Sequence, residues 1–369
     1  MPGAFSPIAI NGLEMENRFM RSATHDGSAD DSGATTPTSI GIYDRLGKGR
    51  IGLIVSGYAF VSVHGQAFAG QYGAHTDEMI PGLANMARAV HACDGRIALQ
   101  LVHAGFNSPY LKANGLWCLA PSKVDGSDSP HRELTPGEIE DIVRDFGSAA
   151  ARAREAGFDA VQLHGAHGYL FSQFLSPLTN RRTDAWGGAA ANRRRFHIEV
   201  IREIRAHVGK DFPLMMKFGL MDDEPGGLAL EEGLATAEEM AAAGLDAIEV
   251  SAGLGGDFMQ RVINQQANAG NERPWFRERA RALKSSVSIP VMVVGGIRTL
   301  AMSESILESG EADMVSMSRP FVREPWLIRR WLSGDLSPAK CITCGRCFLI
   351  ALGRRRGGES LCWHEYSKD

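Results

Sequence analysis

The stretch VQLHGAHGYLFSQFLSPLTNRRTDAWGGAAANRRRF, residues 161–196, holds the densest set of chemically useful side chains in the sequence. It begins as a short apolar run that ends on His164, followed by His167 and Tyr169. Two histidines at a strand exit can each aim an N–H at one carbonyl oxygen and withdraw electron density from a conjugated double bond. The Tyr169 phenol, two residues on, can supply a proton to the carbon left anionic after hydride delivery. An isolated histidine is more often a buried structural hydrogen-bonder, and a lone tyrosine can be packing. Two histidines and a tyrosine at one strand exit tilt the balance toward catalysis.

A second set lies near the C-terminus, where Cys341, Cys344, Cys347 and Cys362 follow the pattern C-x2-C-x2-C-x14-C. Four thiolates with two tight spacings can fold around a 4Fe-4S cluster. A structural zinc site and bare thiols are the other two readings, because spacing does not separate metals that accept four sulfur ligands. Cys93 and Cys118 stand alone and read as ordinary buried or loop residues.

Both sets need a frame. Apolar residues make up 44% of the 369 and charged residues 22%, with no uninterrupted apolar run long enough to cross a bilayer and no charged-then-apolar leader over Met1 to Ile10. A soluble, cytoplasmic chain is expected. The net charge of -4 offers no field for polyanions, and the Arg354, Arg355, Arg356 run lacks interleaved aromatics, so nucleic acid is excluded as a partner.

Short β-branched or apolar runs recur at Ile51 to Ser56, Ile97 to Leu101, Ala160 to Leu163, Leu214 to Phe218, Ala247 to Ser251, Val291 to Val294 and Asp313 to Met317, with an eighth at Arg18 to Ala23. They read as parallel strands buried on both faces. Between them lie helical patterns, clearest over Thr135 to Ala156, where Thr135 and Glu138 form a capping box and Pro136 sits at N1. Three helices then stop alike: Gly157 precedes Asp159, Gly244 precedes Asp246, and Gly310 precedes Asp313, each leading into a strand.

A doubly wound sheet has the same alternation. Polar motifs follow six of the strands, at Gly57-Tyr58, His103-Ala104-Gly105, His164 to His167, Ser251 to Gly253, Gly295-Gly296 and Ser318-Arg319. Function spread over so many strand ends converges only if the sheet closes into a ring, so the expected fold is a TIM (β/α)8 barrel spanning 1–335, with a Cys-rich extension over 336–369. The Gly/Ser/Asp/Pro-rich segments Thr24 to Thr38 and Asn107 to Leu134 read as excursions over the barrel mouth.

The run from the His-x-x-His pair through Gly-Tyr-Leu, Gln-Phe-Leu-Ser-Pro, Arg-Thr-Asp, Gly-Gly, Asn-Arg and Arg-Phe resembles the signature of the Old Yellow Enzyme family, with Asn17-Arg18, Gln100, His103-Ala104-Gly105 and Gly295-Gly296 continuing the likeness over about the first 335 residues. The resemblance implies an FMN-dependent oxidoreductase with NAD(P)H as reductant. It implies Gln100 at the flavin's pyrimidine edge, Lys217 near N1, and Gly295, Gly296, Ser318 and Arg319 at the phosphate. Ser22, Ala23, Thr24 and His25 correspond to the loop crossing the flavin face, and Gly57 joins the same cofactor set. Departures are Ala23 for the usual Pro, His25 for a small Cys or Thr, Phe106 for Arg and Lys217 for Arg.

The Cys pattern is similar to the cluster segment of trimethylamine dehydrogenase and 2,4-dienoyl-CoA reductase in the same superfamily. The sequence ends at Asp369 without a second Gly-rich β/α unit, so electrons from a cluster are expected to leave to a separate carrier. Three functions follow. The leading one is reduction of an activated C=C bond, with His164 and His167 on the carbonyl oxygen and Tyr169 protonating the α-carbon. The second is oxidative dehydrogenation or demethylation of an amine or betaine, for which an aromatic cage drawn from Tyr58, Trp117, Trp186 and Trp275 would discriminate. The third is a catalytically idle flavin- or metal-binding partner protein. Relatives pair as dimers or tetramers, so a homo-oligomer is a further expectation.

Overall fold

The computed structural model describes residues 3–124, 130–254, 274–352, 362 and 364; the Arg354, Arg355, Arg356 run lies outside them. Eight parallel strands form the frame: β1 (Phe19–Arg21), β2 (Leu53–Val55), β3 (Ile97–Val102), β4 (Ala160–Gly165), β5 (Leu214–Gly219), β6 (Ala247–Ser251), β7 (Val291–Val294) and β8 (Met314–Met317). Each pairs with the next, and β8 pairs with β1 through Val315 opposite Phe19, which closes the ring. The barrel replaces any open doubly wound sheet. Expected strand bounds differ from the observed ones by a residue or two, because the pairing ends where the chain bends into each connection.

One helix follows each strand: α1 (Pro37–Gly47), α2 (Ile80–His91), α3 (Pro136–Glu155), α4 (Ala190–Val208), α5 (Leu230–Ala242), α6 (Arg277–Lys284), α7 (Leu300–Glu308) and α8 (Leu327–Leu332). The capping box of α3 is formed as expected, with Thr135 Oγ1 accepting from Glu138 N and the Glu138 carboxylate from Thr135 N at 2.8 Å. Outward strand residues such as Leu99, Val161, Met216, Ile248 and Val315 pack with Phe146 of α3 and Ile201 of α4 in one continuous core. Burying side chains of this size contributes about 1.5–3 kcal/mol each.

The repeated Gly-then-Asp stops have a structural reason. Gly157 and Gly244 take φ of 84° and 109°, the left-handed turn that lets the chain reverse. The aspartate that follows then caps the barrel floor: Asp159 accepts from Ile97 N at 2.8 Å, Asp246 from Leu214 N at 2.7 Å, and Asp313 from Val291 N at 2.8 Å. Each thus satisfies the first N–H of the neighbouring strand. Each also meets a basic side chain from the last turn of a preceding helix, namely His91, Arg205 and Lys284.

Along the strands the interior changes character. Its lower half is filled by Met20, Leu53, Val55, Ala98, Ala160, Met215, Ala247, Met292 and Met314, plugged from below by Ile10 and Met15 of the hairpin Ile8–Ile10/Leu13–Met15. Two residues further on, the same inward parity delivers Gln100, Gln162, Lys217, Glu249 and Ser316, all buried. That polar layer is the floor of the site. Over the mouth, the 107–134 excursion carries a short helix, Pro109–Ala113, and a strand pair, Cys118–Ala120 with His131–Glu133. Among the described residues no helix is long and apolar enough to cross a membrane.

Candidate active site

A cavity of about 500 Å³ opens at the C-terminal ends of the strands. Its wall includes Ser22, Ala23, Thr24, His25, Gln100, His164, His167, Tyr169, Lys217, Gly295, Gly296, Ser318 and Arg319, the set expected from the sequence save Gly57. Gly57 is not among the lining residues; its N–H donates to Tyr43 Oη at 2.6 Å, so it belongs to the packing beneath.

β4 ends on His164 with its side chain inward, two positions after Gln162. A backbone N–H, from Ala166, donates to His164 Nδ1 at 3.4 Å, which leaves the ring proton on Nε2. His167 sits at φ 60°, a left-handed conformation that turns its ring back beside His164, with Nε2 2.8 Å from Ser251 Oγ. The two ring centroids are 5.0 Å apart and nearly perpendicular. Burial, then each other's charge and Lys217, hold His164 well below the usual histidine range; burial and Lys217 bring His167 to about 3. Both are neutral near pH 7.

Tyr169 precedes the helix Leu170–Leu175, with its ring 4.8 Å from that of His164. Its hydroxyl donates to Tyr58 Oη at 3.5 Å, and burial pushes its pKa up to about 12, so it carries its proton. Tyr58 in turn stacks on His25, ring centroids 5.3 Å apart, and burial lowers His25 to about 4. Uncharged His164, His25 and Tyr169 therefore gather around Tyr58 on the cavity wall, with His167 beside His164.

The residues fit a flavin. Gln100 Oε1 is buried without a hydrogen-bond partner among the described residues, an acceptor suited to an N–H such as that of a pyrimidine edge. Lys217 Nζ bonds Ser22 Oγ at 2.8 Å and Glu249 Oε2 at 2.7 Å, and burial lowers its pKa against the pull of that carboxylate. On the same wall Gly295 has φ 100°, and Trp275 and Phe276 pack against its bare Cα, with the Arg319 guanidinium 5.6 Å from the Trp275 ring centroid. Backbone N–H groups and an arginine fork are what a phosphate requires. Of the four candidate cage aromatics, Tyr58 and Trp275 line the cavity, while Trp117 is 60% exposed and Trp186 is packed in the core.

Sequence reasoning passed over Glu249 and Gln162, and had Ser251 and Tyr58 only as members of strand-end motifs, Tyr58 also as a cage candidate. A signal existed: polar residues at inward parity inside otherwise apolar strands.

Cys341, Cys344, Cys347 and Cys362 all line a second cavity, of about 350 Å³, with Arg319, Arg323, Lys340 and His364. Cys347 opens the short helix Cys347–Ala351 and also faces the first cavity, where Phe348 meets Phe68 edge-on. Burial pushes the Cys347 thiol up to about 11. Among the described residues no group of three or more His, Cys, Asp or Glu side chains is arranged to hold a metal ion, and none of the cysteines is in a disulfide.

Known proteins share this construction. The chain is 35% identical over 347 residues to an NADH oxidase of Thermoanaerobacter brockii, covering 93% of this chain and 53% of that protein. It is 34% identical to an NADPH dehydrogenase of Geobacillus sp. (strain WCH70), covering 87% and 91%. The structure of a 2-naphthoyl-CoA reductase superposes with a TM-score of 0.86 at 27% identity, over 92% of this chain and 54% of that one. The chain thus spans about half the length of several proteins it matches. Residues 4–335, the whole barrel, match the NADH:flavin oxidoreductase / NADH oxidase family, and the chain belongs to that family.

Proposed function

We propose that the protein is an FMN-dependent oxidoreductase that uses NAD(P)H to reduce a C=C bond conjugated to a carbonyl group. The observation that carries this reading is the pair of neutral histidines, 5.0 Å apart on the cavity wall, beside a protonated Tyr169. When bound, FMN supplies the hydride acceptor and donor at its N5. His164 Nε2–H and the His167 ring hold the substrate's carbonyl oxygen and favour negative charge there. Tyr169 delivers its proton to the α-carbon, and Tyr58 steadies the phenolate left behind through its own hydroxyl. Gln100 and Lys217 hold the pyrimidine edge, Gly295, Gly296 and Arg319 the phosphate, and the loop Ser22 to His25 covers the ring.

A second reading draws on the Cys-lined cavity. Residues 336–369 would then be a metal-binding extension in which Cys341, Cys344, Cys347 and Cys362 hold a 4Fe-4S cluster, and an amine or betaine would be oxidised with electrons passing to an external carrier. All four thiols line one space of about 350 Å³, which supports this reading.

Anaerobic purification followed by an absorption spectrum and iron, sulfide and zinc assays separates the readings. Flavin with about four irons per chain supports the carrier-coupled reading. Flavin without iron, with turnover of NADPH and 2-cyclohexenone, supports the plain reductase. Protein without flavin contradicts both.

A further inference from the structure

Glu249 lies one layer below the mouth cavity, 0% exposed, on β6 and in register with Lys217 on β5. The reaction outlined above does not use it. A carboxylate withdrawn from water is costly unless donors surround it. Three strands supply them: Lys217 Nζ at 2.7 Å and Gln162 Nε2 at 3.1 Å on Oε2, and Ser316 Oγ at 2.7 Å on Oε1.

The carboxylate sets the direction of every bond above it. It accepts only, so Gln162 must turn its amide NH2 downward and keep its oxygen upward. Gln162 Oε1 then accepts from Gln100 Nε2 at 2.7 Å. Gln100 is left with a bare oxygen, Oε1, buried at the cavity floor and unpartnered among the described residues. A flavin pyrimidine ring has one N–H, at N3, flanked by two carbonyls, and only that N–H complements a bare acceptor.

The same carboxylate also sets the charge. Two-electron reduction of a flavin, with one proton taken at N5, leaves a negative charge over N1 and the C2 oxygen. A lone Lys217 cation would favour that charge strongly in a buried site. Paired with Glu249, it presents a neutral couple instead.

We propose that Glu249 is a positioning residue that acts from one layer below the flavin: through Gln162 it turns Gln100 into an acceptor for the ring's N3–H, and through Lys217 it holds the flavin's reduction potential below what an unpaired lysine would set. The inference rests on the flavin reading above.

The test is the midpoint potential and sulfite affinity of the bound FMN, since sulfite adds at N5 and leaves the same negative charge near N1. Glu249→Gln keeps the shape and removes the charge; sulfite is expected to bind at least about tenfold tighter, with the potential about 30 mV higher for a two-electron couple. Should that variant fail to fold, Lys217→Met with Glu249→Gln removes both charges together and is expected to keep a potential close to the parent's. Gln162→Leu, which cuts the relay and leaves the charges, is expected to weaken FMN binding about tenfold, roughly the loss of one well-placed hydrogen bond, with an unchanged potential. An unmoved potential in Glu249→Gln, or a large drop in the double variant, overturns the inference. Absence of FMN from the parent protein would instead remove the flavin reading itself.

Discussion

The barrel mouth and the Cys-lined cavity share Arg319, Val322, Gly345 and Cys347 as a common wall, yet they are held in different ways. At the mouth, the polar floor arrives from paired strands and its side chains are tied to one another: Gln100 to Gln162, and Gln162 and Lys217 to Glu249, with His167 on the turn after β4 tied to Ser251. The cysteines arrive on turns and a five-residue helix beyond the barrel, and no metal-holding group is assembled among the described residues. The mouth is preorganised by the backbone. The thiols are not.

Removing a preorganised donor should therefore have the largest effect. His164→Ala is expected to lower the rate of enone reduction about 10²–10³-fold, the usual cost of losing one donor to a developing oxyanion. Stopped-flow reoxidation of the reduced enzyme measures this, and an unchanged rate would take the histidines out of the chemistry.

Tyr169→Phe should cost about 10²-fold in the same half-reaction. Reduction by NAD(P)H should be untouched, since no substrate carbon is protonated there; equal losses in both halves would assign Tyr169 to packing.

Acid should undo the mouth before the tail. His25 is lowered to about 4, and His103, His167 and His197 to about 3, each chiefly by burial. Their folded values lie below the unfolded value near 6.5, so the unfolded chain binds more protons between the two. The stability contributed by keeping them neutral is complete above pH ~6.5 and is lost as pH falls toward 3. Melting temperatures measured from pH 7 to 4 should fall steadily; a flat profile contradicts the burial of these rings.

The smallest effect belongs to Cys341→Ser with Cys344→Ser. It should abolish any bound iron while flavin content holds and NADPH-driven enone reduction stays within about threefold, well under 1 kcal/mol. Loss of flavin in that variant would show that the two cavities depend on each other.

The same contrast governs how much could be read from the amino-acid sequence. All eight strands, the α3 capping box and the Gly-then-Asp stops are local patterns, and each has a local physical cause. His164, His167 and Tyr169 were legible because they cluster within six residues of one another. Glu249 was not: it is a lone acid in AIEVS, and its partners Lys217, Gln162 and Ser316 come from three other strands that only barrel closure brings together. Tyr58 was visible as a strand-end residue, but its bond to Tyr169, 111 residues away, was equally hidden. Gly57, expected at the cofactor, lies outside the lining residues and donates its N–H to Tyr43.

The most direct test of the central claim is an anaerobic two-step titration of the purified protein. NADPH should bleach the visible flavin band, and one equivalent of 2-cyclohexenone should restore it with formation of cyclohexanone. A protein that carries no flavin, or a bleached flavin that the enone leaves bleached, would contradict the account.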